Sequence, residues 1–242
     1  MKTIKYIITP PLALSLFITL VLPSILSAQQ VIIAEDLRES AVSKDFGMNR
    51  KHFRHAYIGV HFLAGQAEES GADVRYGKSW SFEYGVRYKR KFSEFYSVGG
   101  ELFTRRLAIW PEQIEGKMIP GPDIYDDEKL VYLQLGGGLY HRINVGERGN
   151  YIGRFFDTGA YAAWNFHVRH VYFKEQDDAY LRVRRTGMSF PALFEYGVLA
   201  RLGFNNIVLK ASYRLSDTFR SSAELPDIPR LHFGVEVGLH SM

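Results

Sequence analysis

The chain of 242 residues contains no cysteine. That excludes a disulfide scaffold, a thiolate metal site and a lipid-modified N-terminal cysteine. Beyond residue 28 there is no apolar run of the eighteen or so residues that a membrane-crossing helix needs. Charge of one sign is barely in excess: 30 Lys and Arg stand against 26 Asp and Glu, a formal net charge of +4. Lys2 and Lys5 lie in a segment expected to be removed, which leaves 4 − 2 = +2. So small a balance gives no reason to expect a nucleic-acid partner. Catalytic signatures are missing too: there is no GxSxG elbow, no phosphate loop and no carboxylate pair of defined spacing. What remains is a chain with 46% hydrophobic and 23% charged residues, 22 Gly, 15 Tyr and 17 Phe, neither disordered nor a bundle of membrane helices.

The first residues read as an address. Lys2 and Lys5 precede an apolar run from Tyr6 to Leu26, followed by Ser27, Ala28, Gln29 and Gln30. A charged start, an apolar middle and small residues before a polar break make a secretory signal, with cleavage expected after Ala28. Pro10, Pro11 and Pro23 interrupt the run and argue against a permanent anchor. Residues 29–52 are polar and mixed, and read as a periplasmic leader ahead of a domain spanning 53–242.

From His55 onward the dominant pattern has a period of two. In 80–89, Trp80, Phe82, Tyr84, Val86 and Tyr88 alternate with Ser81, Glu83, Gly85, Arg87 and Lys89. In 231–240, Leu231, Phe233, Val235, Val237 and Leu239 alternate with His232, Gly234, Glu236, Gly238 and His240. The segments 192–202 and 207–216 repeat the pattern, and 56–65, 96–105, 131–142 and 159–169 follow it with lower contrast. Eight strands of about ten residues result. Short connections near Ser93–Glu94, 144–150 and 203–206 alternate with long ones near 66–78, 107–129, 171–189 and 217–229. That asymmetry is expected of an all-β, eight-stranded antiparallel up-and-down transmembrane β-barrel with short periplasmic turns and long extracellular loops.

Alternation alone leaves open which face is inside, because a soluble lipid-carrier barrel turns its apolar face inward. Three features favour the membrane version. The apolar face is nearly unbroken, and the loops show no hydrophobic plug. Trp80, Tyr88 and Tyr96 fall at strand ends, where interfacial aromatic girdles belong. The polar face interleaves charges with glycine, as a narrow interior filled by side chains requires.

In the last strand, His232 to Leu239 reads polar, any, Gly, any, any, apolar, any, apolar. This resembles the C-terminal signal read by the barrel-assembly machinery, although the chain ends His240-Ser241-Met242 without the usual aromatic. Residues 53–242 as a whole resemble small outer-membrane β-barrels of OmpA/OmpX-like architecture, and the PorT-like barrels of diderm bacteria are similar in size. The resemblance implies residence in the cell outer membrane of a Gram-negative envelope, contact with outer-membrane lipid and lipopolysaccharide, and an envelope protein partner. It implies no cofactor.

The expected inward series contains Glu83, Glu101, Glu195 and Glu236 against Arg87, Arg105, Arg142, Arg169, Arg201, Lys210 and Arg214. In a narrow lumen these charges must pair, since a lone buried charge is costly. Such a network reads either as a side-chain plug or as an ion path. The eight histidines show no metal-binding spacing; His167 and His170, three apart, fall on opposite faces of a strand. Arg182, Arg184 and Arg185, separated by Val183 and preceded by Leu181, suggest that strands five and six continue outward as a hairpin. Those arginines either contact lipopolysaccharide phosphates or form a solvated rim. The expected function is a non-enzymatic envelope component that acts through its loops or its leader. The alternatives are a narrow porin-like solute channel and a lipid A-modifying enzyme using His170, Ser189, Asp217 and Ser221.

Overall fold

The computed structural model describes residues 45–146, 149, 151–176 and 179–239. The expected signal segment, leader residues 29–44 and the final three residues lie outside the described residues. Nine strands follow in order: β1 (His52–Ala64), β2 (Trp80–Lys91), β3 (Tyr96–Ile109), β4 (Asp127–Val145), β5 (Arg154–Gln176), β6 (Ala179–Thr186), β7 (Phe194–Phe204), β8 (Ile207–Arg214) and β9 (Leu231–Leu239). All pair antiparallel in one sheet ordered β4-β3-β2-β1-β9-β8-β7-β5-β6, and an additional β4–β5 pairing closes it into a ring.

Eight columns make the ring. Among the described residues the ninth segment, β6, pairs only with the far part of β5, from Arg169↔Thr186 to Gln176↔Ala179. The nearer part of β5, from Arg154 to Trp164, pairs with β7. β5 and β6 thus form a hairpin standing beyond the ring, and residues 187–193 lead back to β7. The connections 92–95 and 205–206 are short and 146–153 is modest; Asn205 takes φ 56°, a turn conformation that asparagine tolerates. β1 begins and β9 ends at this turn end, where Ala56 pairs with Leu239. The long connections gather at the opposite, loop end.

Burial runs opposite to that of an ordinary soluble protein. The charged series points inward: Glu83 and Glu236 have no exposed surface, and Arg87, Arg142 and Arg201 are among the most completely buried side chains. The apolar series points outward, with Leu139 73% and Leu102 71% exposed. Strand pleating enforces this split, since each one-residue step reverses the face. Packing inside depends on small residues beneath large ones. A Cβ on Gly85 would lie 2.8 Å from the Tyr57 ring and 2.6 Å from the Leu102 carbonyl, so only glycine lets the ring cross the strand there.

Two sequence expectations need correction. The register between β4 and β5 shifts at Leu133/Gln134: His167 pairs with Leu133 while Asn165 pairs with Gln134, leaving Phe166 as an extra residue. This β-bulge inverts the alternation beyond it. Arg169 therefore leaves the inward series and faces outward in one row with Val131 and Thr186. The loops also do carry a hydrophobic plug. Ala72, Val74, Ile119, Phe219 and Ile228 pack against Leu63, Leu107, Ile109, Leu130 and Tyr132 to close the loop end. These loop residues are scattered among polar and glycine positions, so no periodic pattern reveals them. At the turn end, Phe53, Ile152, Phe155 and Val208 form a second apolar layer, with Met48 packed against it.

Candidate functional site: an interior charge network

Between the two apolar layers, every ring strand contributes a polar side chain to one connected network. Glu195 on β7 accepts from Arg105 Nη1 at 3.0 Å, and Arg105 Nε donates to Glu83 at 2.9 Å. Lys210 on β8 donates to Glu83 at 2.7 Å and lies 3.0 Å from Glu236 on β9. Arg87 spans Glu236 at 2.8 Å and Glu101 at 2.9 Å. Arg201 joins Glu101 and lies 3.6 Å from Asp157, which Arg142 engages with two hydrogen bonds of 2.7 and 2.9 Å. Five carboxylates (Glu83, Glu101, Asp157, Glu195, Glu236) thus meet five cations (Arg87, Arg105, Arg142, Arg201, Lys210).

Neutral groups satisfy much of the remaining hydrogen-bonding capacity. Tyr57 of β1 donates to Glu83 at 2.9 Å, and Tyr161 donates to Glu195 at 3.1 Å. Gln134 bridges Glu195 and Asn165, each at 2.8 Å. The guanidinium of Arg87 lies 4.1 Å from the centre of the Tyr57 ring, and that of Arg142 lies 3.4 Å from the centre of Phe155. Charge balance, donor–acceptor matching and aromatic stacking are the conditions under which buried ions are tolerated.

Ten of the eleven residues expected in the lumen network point inward. Nine of them belong to the connected chain above; Arg214, the tenth, forms a separate unit nearer the loops. It pairs with Asp227 at 2.8 Å and donates to the Ser216 and Ile228 carbonyls. Arg169 is the exception, displaced by the bulge. Sequence reading missed Asp157 because β5 begins at Arg154, five residues before the alternation becomes clear. It also missed His61, whose Nε2 lies 3.6 Å from Glu236. His61, Glu83 and Glu236 offer ligand atoms within 4.8 Å of one another. The Lys210 ammonium already lies against both carboxylates, so a divalent ion there would meet a fixed positive charge.

A second polar group closes the loop end. Glu128, at the outer tip of β4 beyond the outward apolar band, contacts His170 Nε2 at 2.6 Å, Lys117 Nζ at 2.5 Å and Gln113 Nε2 at 2.8 Å. Burial alone would raise the Glu128 carboxyl pKa; these hydrogen bonds outweigh it and hold the pKa below the usual carboxylate range. Burial and the neighbouring Asp123 push the Tyr125 phenol up to about 12. The group pins the acidic second loop to the hairpin. Among the described residues, no hydrogen bond joins His170 to Ser189, Asp217 or Ser221. Asp217 is instead paired with Arg230 at 2.7 Å.

The three hairpin arginines divide between two faces. Arg184 shares a row with Lys129 and Val171, and Arg182 with Asp127 and Phe173, both on the outer face. Arg185 shares the opposite face with His170 and Leu130. It lines a small pocket with Glu128, Tyr125 and Phe190.

No protein-family model matches the chain, and no curated protein matches it.

Proposed function

We propose that the ring is an eight-stranded outer-membrane β-barrel, exported by its N-terminal signal and folded with help from the barrel-assembly machinery. It serves as a non-enzymatic structural or partner-binding component of the envelope. The observation that carries this reading is the inverted burial: charges fill the interior while leucine, valine and aromatic side chains cover the outside. A soluble carrier of an apolar ligand would need the opposite arrangement. The outward apolar series on β7 runs from Phe194 to Phe204, eleven residues and so ten steps, or about 33 Å along the strand. At a tilt of roughly 40° that spans about 25 Å, the height of the apolar band on membrane barrels. Aromatics border both ends: Phe92, Phe95 and Tyr151 at the turn end, Trp80 and Trp164 at the loop end. A closed ring leaves no unpaired strand edge within hydrocarbon, and β6, whose far edge has no partner strand among the described residues, stands beyond the band.

The interior argues against the solute channel. The network crosses the ring from β1 to β9, and apolar layers cap it at both ends. Partner binding then falls to the loop end and the leader. The test is gel mobility of the cell-envelope fraction with and without heating, combined with proteolysis of intact cells. A heat-dependent shift, with cuts confined to the long loops, is expected. An unshifted band with the protein free in the periplasm would overturn the reading.

A further inference from the structure

The bulge in β5 does more than remove Arg169 from the interior. It places that arginine on the outer face, just beyond the apolar band, with four other cations on neighbouring strands. Arg106 lies on β3, Lys129 on β4, and Arg182 and Arg184 on β6. Among the described residues none of the five is ion-paired. Asp127, the acid in these rows, is taken by Arg75 at 3.2 Å. Arg169 Nε is shielded from solvent and, among the described residues, has no hydrogen-bond partner. The cations also crowd one another: Lys129, partly desolvated and facing Arg182, Arg106 and Arg184, has its pKa held below the usual lysine value. Two indoles lie beside them, with Lys129 Nζ 4.5 Å from the Trp110 ring centre and the Arg106 guanidinium 6.0 Å from that of Trp80. A folded protein has little reason to gather five like charges without a counter-ion, since their repulsion is uncompensated.

Below this rim, on the same columns, the outer face is concave. A groove of about 670 Å³ runs across β2 to β5, floored by Gly137, Ala160 and Ala162 and walled by Leu102 and Leu139. From Leu102 to Arg106 is four residues, about 13 Å along the strand, within reach of a fatty acyl chain. Cations and the two indoles above, the exposed Trp164 indole in the row between, and an apolar groove below match the three zones of a single lipid.

We propose that this rim and groove form the seat of one membrane lipid, with its phosphorylated headgroup on the arginines and an acyl chain in the groove. Guanidinium groups suit the headgroup, because they bind phosphate oxygens by paired charge-assisted hydrogen bonds. The seat rests on the membrane reading above, and it commits to a lipid phosphate because the groove lies on columns β3 to β5 of the rim, one row (Thr104, Leu135 and Trp164) below its nearest cation.

The test uses the full chain, inserted in phosphatidylcholine vesicles and then released into detergent for native mass spectrometry. The probes are lipid A carrying both phosphates, the same lipid A dephosphorylated, and inorganic phosphate as competitor. The protein is expected to retain the phosphorylated form at least about tenfold more tightly than the dephosphorylated one. R169Q/R182Q/R184Q should abolish that preference, whereas R50Q/K51Q at the turn end should preserve it. Ala162→Leu, which fills the groove, should weaken retention of both lipids. The single variants R169Q and R182Q give the same reading in smaller steps if the triple variant does not insert. A preference that survives the triple substitution, or displacement of the lipid by inorganic phosphate alone, overturns the seat. Insertion without any preference sinks the seat and spares the membrane reading; failure of the unaltered chain to insert sinks both.

Discussion

Replacing Glu236 by glutamine tests how the interior is held together. Glu236 meets Arg87 at 2.8 Å and Lys210 at 3.0 Å, with Arg201 Nε at 3.7 Å and His61 Nε2 at 3.6 Å. At an effective dielectric constant near 20, one unit-charge contact at 3 Å is worth about 5–6 kcal/mol before desolvation is subtracted. Glutamine keeps the shape and removes the charge, leaving four carboxylates against five cations in a space closed to water. Breaking a buried pair in this way destabilises by roughly 3–5 kcal/mol, because the partner stays buried and uncompensated. Lys210 and Arg87 each keep a second carboxylate, Glu83 and Glu101, so the lower end of that range, about 3 kcal/mol, is expected for E236Q. Adding Lys210→Met restores a balance of four against four. The double variant K210M/E236Q should then be less destabilised than the sum of the single variants, with a coupling of about 1–2 kcal/mol. Urea unfolding of the vesicle-inserted protein, followed by heat-dependent gel mobility, gives the three values. An E236Q variant within about 0.5 kcal/mol of the parent, or strictly additive single variants, would refute the network as the basis of interior stability.

Other outcomes follow from the same geometry. Planar-bilayer recordings of the purified chain should show no stepwise conductance, because paired side chains and two apolar layers fill the bore; steady unitary steps would revive the channel. Gly85→Val should overpack against Tyr57 and cost about 1–3 kcal/mol in unfolding experiments, while Gly77→Val, which meets nothing within 4 Å, should leave stability unchanged. Glu128→Gln should release Lys117 and His170 and speed tryptic cleavage after Lys117; an unchanged rate would mean the second loop is held by other contacts. The Glu128 carboxyl has a lower pKa folded than unfolded. Its contribution is therefore present above the unfolded value near 4.3 and is lost as pH falls through the folded value. Hydrogen exchange of residues 113–125 should accelerate below about pH 4 in the parent, and that acceleration should be absent from Glu128→Gln.

Much of this architecture is legible in alternation alone, and the failures have specific physical causes. Along β2 and β9 every second residue is large and apolar, so face and column follow directly. β5 misleads at both ends. Its first inward charge, Asp157, lies between Phe156 and Thr158, where the contrast is weak, and its bulge at Phe166 inserts one residue that no period-of-two reading anticipates. A bulge leaves the composition of a strand unchanged and moves only its phase. Alternation accordingly places Arg169 in the lumen, whereas its neighbours on the outer face, Arg184, Lys129 and Arg106, are scattered over more than seventy residues of sequence. The continuation of the hairpin was readable from the spacing of Arg182 and Arg184, but the opposite facing of Arg185 followed only from the register. The apolar plug was invisible for a different reason. Val74, Ile119, Phe219 and Ile228 are isolated apolar residues in three separate loops, and only the closed ring brings them together. His61 joins the carboxylates because β1 and β9, the first and last strands in sequence, pair side by side in the ring.

The absence of cysteine allows the central claim to be tested with single reporters. Cysteine is introduced at Leu139 in the outward band, at Ile124 in the second loop and at Phe95 in a short turn, and intact cells are exposed to a membrane-impermeant maleimide. Ile124→Cys should label at once, Phe95→Cys only after the outer membrane is breached, and Leu139→Cys only with a lipid-soluble maleimide. Ready labelling of Leu139→Cys by the impermeant reagent would place the apolar face in water and contradict a membrane-spanning barrel.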